Sequence, residues 1–227
     1  MKKPVVAIDG PSGSGKSTAA KSLAKKLRVP HIDTGAMYRS VTLAALKAEV
    51  DLSKSADVLR IAKKSKIQLK PTPAGNNKVY LDNKDVSKDI RSPKLTSLVH
   101  HIASNVGVRR LMVKLQREMA MKSGGVMEGR DIGTVVLKNA PFKFYLDSDV
   151  KIRAKRRYNE LKKKGIKVAL KQILADQIAR DHSDYTRKVG ALKKAKDAKI
   201  IDSTDLTTRQ TVDRMHRYIL KRSQQTV

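Results

Sequence analysis

The run Gly10-Pro-Ser-Gly-Ser-Gly-Lys16-Ser17 lies between a short apolar stretch, Val5-Val-Ala-Ile8, and a segment in which Ala19, Ala20, Leu23, Ala24 and Leu27 recur at helical spacing. The pattern predicts a buried strand, a glycine turn and an amphipathic helix in immediate succession. Such a turn lets successive backbone N–H groups point inward, and the helix adds its positive end, so the product is a cradle for phosphate. Lys16 reaches the β- and γ-phosphates in that geometry, and the Ser17 hydroxyl is a ligand for Mg²⁺.

The rest of the chain repeats the alternation. Val29-Pro-His-Ile-Asp33 predicts a second strand, and a helix carrying Val41, Leu43, Ala44 and Ala45 follows Thr34-Gly-Ala-Met-Tyr-Arg39. Alternating strands and helices predict a doubly wound parallel α/β sheet, which binds ligands beyond the carboxyl ends of its strands. Ile67-Gln-Leu69 and Val79-Tyr-Leu81 break the rhythm, with Pro71, Pro73, Gly75, Asn76 and Asn77 between them. They predict an antiparallel hairpin in an inserted lobe. Val108, Leu111, Met112, Leu115 and Met119 predict a helix closed by Gly124-Gly125. Strands are expected at Val126–Glu128, Phe142–Leu146 and Ile200–Asp202, and a last helix through Thr208, Val212, Met215 and Ile219.

Of the 227 residues, 50 are Lys or Arg and 21 Asp or Glu, a formal charge of +29 that calls for anionic partners. Residues 151 to 199 alone hold +12 of it. With no cysteine, disulfides, thiol catalysis and cysteine-bound metals are excluded, and the five histidines lack metal-ligand spacing. No apolar run predicts a signal peptide or a membrane span, so a cytoplasmic protein without membrane contact is expected.

Arg153, Arg156 and Arg157 fall at i, i+3 and i+4, which predicts three guanidiniums on one helical face, as phosphoryl transfer requires. Arg180, Asp184 and Arg187 form a second stripe, which spacing alone reads as a surface ion-pair ladder of small energetic value. Glu128 ends an apolar strand and could hold the water shell of Mg²⁺. Arg130 could take a phosphate and Asp131 a base or sugar, or the two could pair with one another in a tight turn. Asp33 could be metal-linked or a helix cap.

Taken together, Ile8-Asp-Gly-Pro-Ser-Gly-Ser-Gly-Lys-Ser-Thr18, Asp33-Thr-Gly-Ala-Met-Tyr-Arg39, Asp85-Val-Ser-Lys-Asp-Ile-Arg-Ser-Pro93, Glu128-Gly-Arg-Asp-Ile-Gly-Thr134, Arg180-Asp-His-Ser-Asp-Tyr-Thr-Arg187 and Ile201-Asp-Ser-Thr204 resemble the bacterial cytidylate kinases over nearly the whole chain. The resemblance implies a P-loop kinase monomer: a core over residues 1–33, 108–150 and 189–227, a monophosphate-binding lobe with a small antiparallel sheet over 34–107, and an arginine-rich helical lid over 151–188. It implies ATP-dependent phosphorylation of CMP and dCMP with Mg²⁺. ATP would sit on Gly10, Pro11, Ser12, Gly13, Ser14, Gly15, Lys16, Ser17 and Thr18. CMP would contact Thr34, Arg39, His100, Arg109, Arg130, Asp131, Arg180, Asp184 and Arg187. Lys16, Arg130, Arg153, Arg156 and Arg157 would carry the transition-state charge, and Ser17 with Glu128, through water, the metal.

Two positions depart from the family pattern: Glu128 stands where Asp is common, and His100, with His101 beside it, where a cytosine-contacting serine is expected. The alternatives are another small-molecule P-loop kinase, for adenylate or shikimate, and a nucleic-acid-binding protein that uses the +29. Against the second, the chain has only 2 Phe, 6 Tyr and no Trp, too few aromatics for a stacking platform. No specific nucleic acid is therefore expected.

Overall fold

A computed structural model describes residues 3–72, 77–163 and 165–224; the hairpin residues Pro73, Gly75 and Asn76 lie outside that set. Five strands, β1 (Val5–Asp9), β2 (His31–Asp33), β6 (Gly125–Gly129), β7 (Phe142–Asp147) and β8 (Lys199–Asp202), form a parallel sheet in the order β2-β6-β1-β7-β8. The strand before the glycine turn is thus the central one. Its side chains alternate: Val6 and Ile8 pack with Ala19, Ala20 and Leu23 of α1 (Lys16–Leu27) and with Val212, Met215 and Ile219 of α8 (Thr208–Gln224). Ala7 faces the other way, toward Ala120 of α5 (Val106–Ser123) and toward Ile132 and Val136 of a π-helix, Ile132–Val136. Both faces of the sheet are covered, as the continuous apolar strands require. Each fully buried Leu, Ile or Phe contributes about 1.5–3 kcal/mol.

The insertion builds its own core. The helices α2 (Thr34–Lys47), α3 (Ser55–Lys64) and α4 (Pro93–Ser104) pack with α5 and with an antiparallel sheet of β3 (Ile67–Pro71), β4 (Asn77–Leu81) and β5 (Lys84–Asp85). The expected hairpin is therefore a three-stranded sheet. A third unit consists of α6 (Val150–Lys163) and α7 (Leu170–Thr186), packed through Ala154, Leu161 and Ile173.

Local chemistry fixes the entry to the cleft. Gly10, Gly13 and Gly15 have φ of 153°, 77° and 89°, a region that favours glycine. A Cβ on Gly10 would lie 2.0 Å from the Leu146 carbonyl oxygen of β7. The Asp33 side chain caps α2 by accepting from the Ala36 amide at 2.8 Å, as its cap reading expects, and also accepts from Arg39 Nη2 at 3.1 Å. Among the described residues no helix is long and apolar enough to cross a membrane.

Candidate active site

A cleft of about 1020 Å³ opens beyond the carboxyl ends of the parallel strands. One wall is the glycine loop, with Ser12 through Thr18 lining it; Gly10 and Pro11 shape the loop without lining the cleft. The loop is held by three side chains on its carbonyls. Arg153 Nη1 and Gln177 Nε2 donate to the Ser12 oxygen at 3.0 and 2.9 Å, and Ser203 Oγ donates to the Ser14 oxygen at 3.0 Å. Lys16 is buried and donates to the Pro11 carbonyl at 2.5 Å and to Ser14 Oγ at 3.4 Å. Burial and then the Arg130 charge hold its ammonium well below the usual lysine range, against the opposing pull of Glu128 and Asp184.

Ser17 Oγ donates to Glu128 Oε2 at 2.7 Å, which joins the first turn of α1 to the end of β6. The other oxygen of Glu128 lies 3.0 Å from His31 Nε2. Among the described residues no group of three or more His, Asp or Glu side chains forms a self-sufficient metal site. A hydroxyl and one carboxylate side by side next to a phosphate loop are the donor set of a cation shared with triphosphate oxygens, so these residues fit Mg²⁺.

The opposite wall is an array of arginines and acids. Arg130 Nε donates to Asp184 Oδ2 at 2.6 Å, and Arg187 Nη2 donates to Asp184 Oδ1 at 3.0 Å. Arg109 pairs with Asp131, and Thr34 Oγ1 donates to the Glu128 carbonyl at 2.6 Å. The pairing of Arg130 with Asp131 considered from the sequence is absent: each binds a partner from another element. Burial raises the Asp131 carboxyl, with Arg109 and Arg187 in opposition. For Asp184 burial works upward as well, but Arg130, Arg187 and Arg180 outweigh it and hold the group down. Arg180 lines the cleft as an exposed guanidinium, and the neighbouring Arg130 charge works against its own. The surface-ladder reading of Arg180, Asp184 and Arg187 is therefore corrected: all three line the cleft, and Asp184 joins Arg187 to Arg130 of another element.

Among the described residues the buried side-chain atoms without a partner are Arg39 Nε, Arg187 Nε and Gln116 Nε2. Two of the three belong to guanidiniums that line the cleft. A buried N–H without an acceptor is costly, and an anionic ligand such as a nucleotide phosphate supplies one.

The three arginines of α6 do not act as one face. Arg156 and Arg157 line the cleft. Arg156 donates to the Ser203 carbonyl at 2.6 Å and Arg157 to Glu160 at 2.8 Å. Arg153 is buried behind the loop on Ser12, Ser148 and Asp181, so the expectation of a phosphate-facing guanidinium is not met there. His100 is also outside the cleft: it is exposed, its Nδ1 lies 2.7 Å from the Ser97 carbonyl, and its ring packs against His101. Thr96, Val99 and Ala103 of the same helix line the cleft instead. His31, Gln177 and Asp9 were not singled out from the sequence. For His31 the period-2 pattern of β2 carried a signal, since it shares a face with Asp33. Asp9 accepts from the Ile132 and Gly133 amides at 2.8 and 2.7 Å and so fixes the turn that carries Arg130 and Asp131.

A parallel α/β sheet with a phosphate loop on one wall of its cleft and an arginine-acid array on the other defines a P-loop kinase. The chain belongs to the cytidylate kinase family, whose model matches residues 6–221. A cytidylate kinase of Clostridium acetobutylicum is 46% identical over 220 residues, 96% of this chain and 98% of that protein. One of Caldanaerobacter subterraneus subsp. tengcongensis is 44% identical over 216 residues, 95% and 94% of the two chains. The crystal structure of an uncharacterized protein from Eubacterium ventriosum superposes with a TM-score of 0.52 at 16% identity, covering 95% of this chain and 98% of that one, a likeness of fold alone.

Proposed function

We propose that the chain transfers the γ-phosphoryl group of ATP to CMP and dCMP, giving ADP and CDP or dCDP. The observation that carries this reading is the meeting of two unlike anion sites in one cleft: the glycine loop with Lys16, and facing it Arg39 and Arg187 with unpartnered buried N–H groups. One suits a triphosphate and the other a monophosphate.

In this reading the loop from Gly10 to Thr18 holds the donor. Thr34, Arg39, Arg109, Arg130, Asp131, Arg180, Asp184 and Arg187 hold the acceptor, with arginines on its phosphate and acids on its sugar or base. Residues 34–107 form the acceptor lobe, 151–188 the lid, and the remainder the core. An oxygen of the acceptor phosphate forms the new bond to the γ-phosphorus as the bond from that phosphorus to the β–γ bridging oxygen breaks. The electron pair leaves with ADP, and no covalent enzyme intermediate is needed. Lys16, Arg130, Arg156 and Arg157 meet the charge that spreads over the transferring group. Held by Ser17 and, through water, by Glu128, Mg²⁺ would neutralise the β- and γ-phosphates. Arg153 acts one step back by fixing the loop, and His100 has no part.

Adenylate and shikimate kinase activity is not favoured by family membership. An ADP-release assay across CMP, dCMP, UMP, AMP and shikimate tests the reading. CMP and dCMP are expected to give the highest kcat/KM, and equal turnover of AMP would overturn the assignment.

A further inference from the structure

We propose that His31 is a positioning residue for the cation end of the donor site, acting through Glu128. The inference rests on the assignment of Ser17 and Glu128 to Mg²⁺ made above. Glu128 is 5% exposed, and its two carboxylate oxygens face different residues: Oε2 the Ser17 hydroxyl at 2.7 Å, Oε1 the His31 Nε2 at 3.0 Å. A carboxylate only accepts, so Nε2 carries the hydrogen. With both oxygens engaged the carboxylate plane is set, and Oε2 is held toward the side of the loop on which the triphosphate rests.

Strand register explains why this histidine reaches that carboxylate. In the parallel β2–β6 pair, His31 stands beside Val126 and Asp33 beside Glu128. His31 and Glu128 are diagonal neighbours on one sheet face, a separation that long side chains bridge. An aspartate at 128 would be one methylene shorter and would fall away from the imidazole. The longer acid carries one more rotatable bond, and the His31 contact restrains that freedom. The backbone of His31 is anchored in turn: its carbonyl accepts from Asn77 Nδ2 at 2.7 Å, so the small sheet of the inserted lobe fixes the strand end that orients Glu128. Partners of this kind orient metal-binding groups, and their removal costs about 10- to 100-fold in metal affinity.

The test is a Mn²⁺ titration of the enzyme with a non-hydrolysable ATP analogue, read by the electron paramagnetic resonance of free Mn²⁺, beside Mg²⁺ titrations of turnover. His31→Leu is expected to weaken Mn²⁺ binding about 10-fold. It should raise the Mg²⁺ concentration for half-maximal rate in step, with KM for CMP unchanged at saturating Mg²⁺. His31→Gln, which keeps an N–H donor, should recover part of the loss. Glu128→Gln reports on the underlying assignment: wild-type Mn²⁺ binding in that variant would overturn the Mg²⁺ reading itself. Weakened binding in Glu128→Gln with wild-type binding in His31→Leu would overturn only the role of His31. Should His31→Leu fail to fold, Glu128→Asp supplies the measurement, because adding His31→Gln to it is expected to change nothing further. Additive effects of those two substitutions would overturn the proposal.

Discussion

Arg153 on α6 and Asp181 on α7 form an ion pair of 2.7 Å, and the same guanidinium donates to the Ser12 carbonyl at 3.0 Å, so one side chain ties both helices of the basic segment to the phosphate loop. The pair is largely buried, with 6% and 14% of the two side chains exposed. Removing one partner of such a pair leaves the other charge uncompensated. Arg153→Leu is therefore expected to cost about 3 kcal/mol of stability. It should also raise KM for ATP, because the loop loses a brace on Ser12. Denaturant unfolding and steady-state kinetics on one preparation check both effects, and a variant as stable as the wild type would remove the brace from the argument.

Lys16 separates stability from catalysis. Its ammonium is buried and finds its shortest contact in the Pro11 carbonyl of its own loop, an arrangement that strains a charge until phosphate arrives. Lys16→Ala is expected to lower kcat by roughly 100- to 1000-fold, the usual cost of removing a preorganised donor from a transition state. Its melting temperature should not fall, since the substitution removes a dehydrated cation. Wild-type turnover in Lys16→Ala would exclude the loop from the mechanism.

The core was legible in the chain because its signals are local. The unbroken apolar run of β1, the helical spacing of α1 and the glycines between them belong to one continuous stretch, and so did the helix that ends at Gly124. Elements with few buried residues were less visible: α3 buries only Val58 and Ala62, and β5 is two exposed residues. The start of α4 had a readable signal in Ser92-Pro93, with the serine accepting from the Leu95 amide and the proline opening the helix. Site pairings were hidden for another reason. Arg130 and Asp184 are 54 residues apart, and helical spacing says which side chains share a stripe without saying where the stripe points. His100 shows the same limit on a finer scale. It lies at the edge of the stripe defined by Thr96, Val99 and Ala103, and its ring turns back to its own helix.

Asp184 holds two arginines with its two oxygens, and both arginines line the cleft, on the wall proposed above for the acceptor. Asparagine keeps one acceptor and turns an N–H₂ toward the other guanidinium. Asp184→Asn is expected to raise KM for CMP by about 10- to 100-fold, the equivalent of one charged hydrogen bond. KM for ATP should change little. Equal effects on the two substrates would count against the proposed place of Asp184 in the acceptor site.

Asp9 gives the protein a pH dependence of predictable sign. Burial, opposed by the amides of Gly133 and Ile132, raises its carboxyl to about 6. In the unfolded chain the group titrates near 3.9, so between about pH 4 and 6 the native state binds a proton that the unfolded state has released. The stability that Asp9 contributes is therefore complete below about pH 4 and declines as pH rises through 6, by about 3 kcal/mol at most. Denaturant unfolding of wild type and Asp9→Asn across that window isolates the effect, because Asp131, also raised by burial, is present in both proteins. The wild-type advantage should shrink steadily with rising pH. A constant difference would mean that the two amides carry an ionised carboxylate at every pH tested, and that the turn bearing Arg130 and Asp131 is held by charge-assisted bonds throughout.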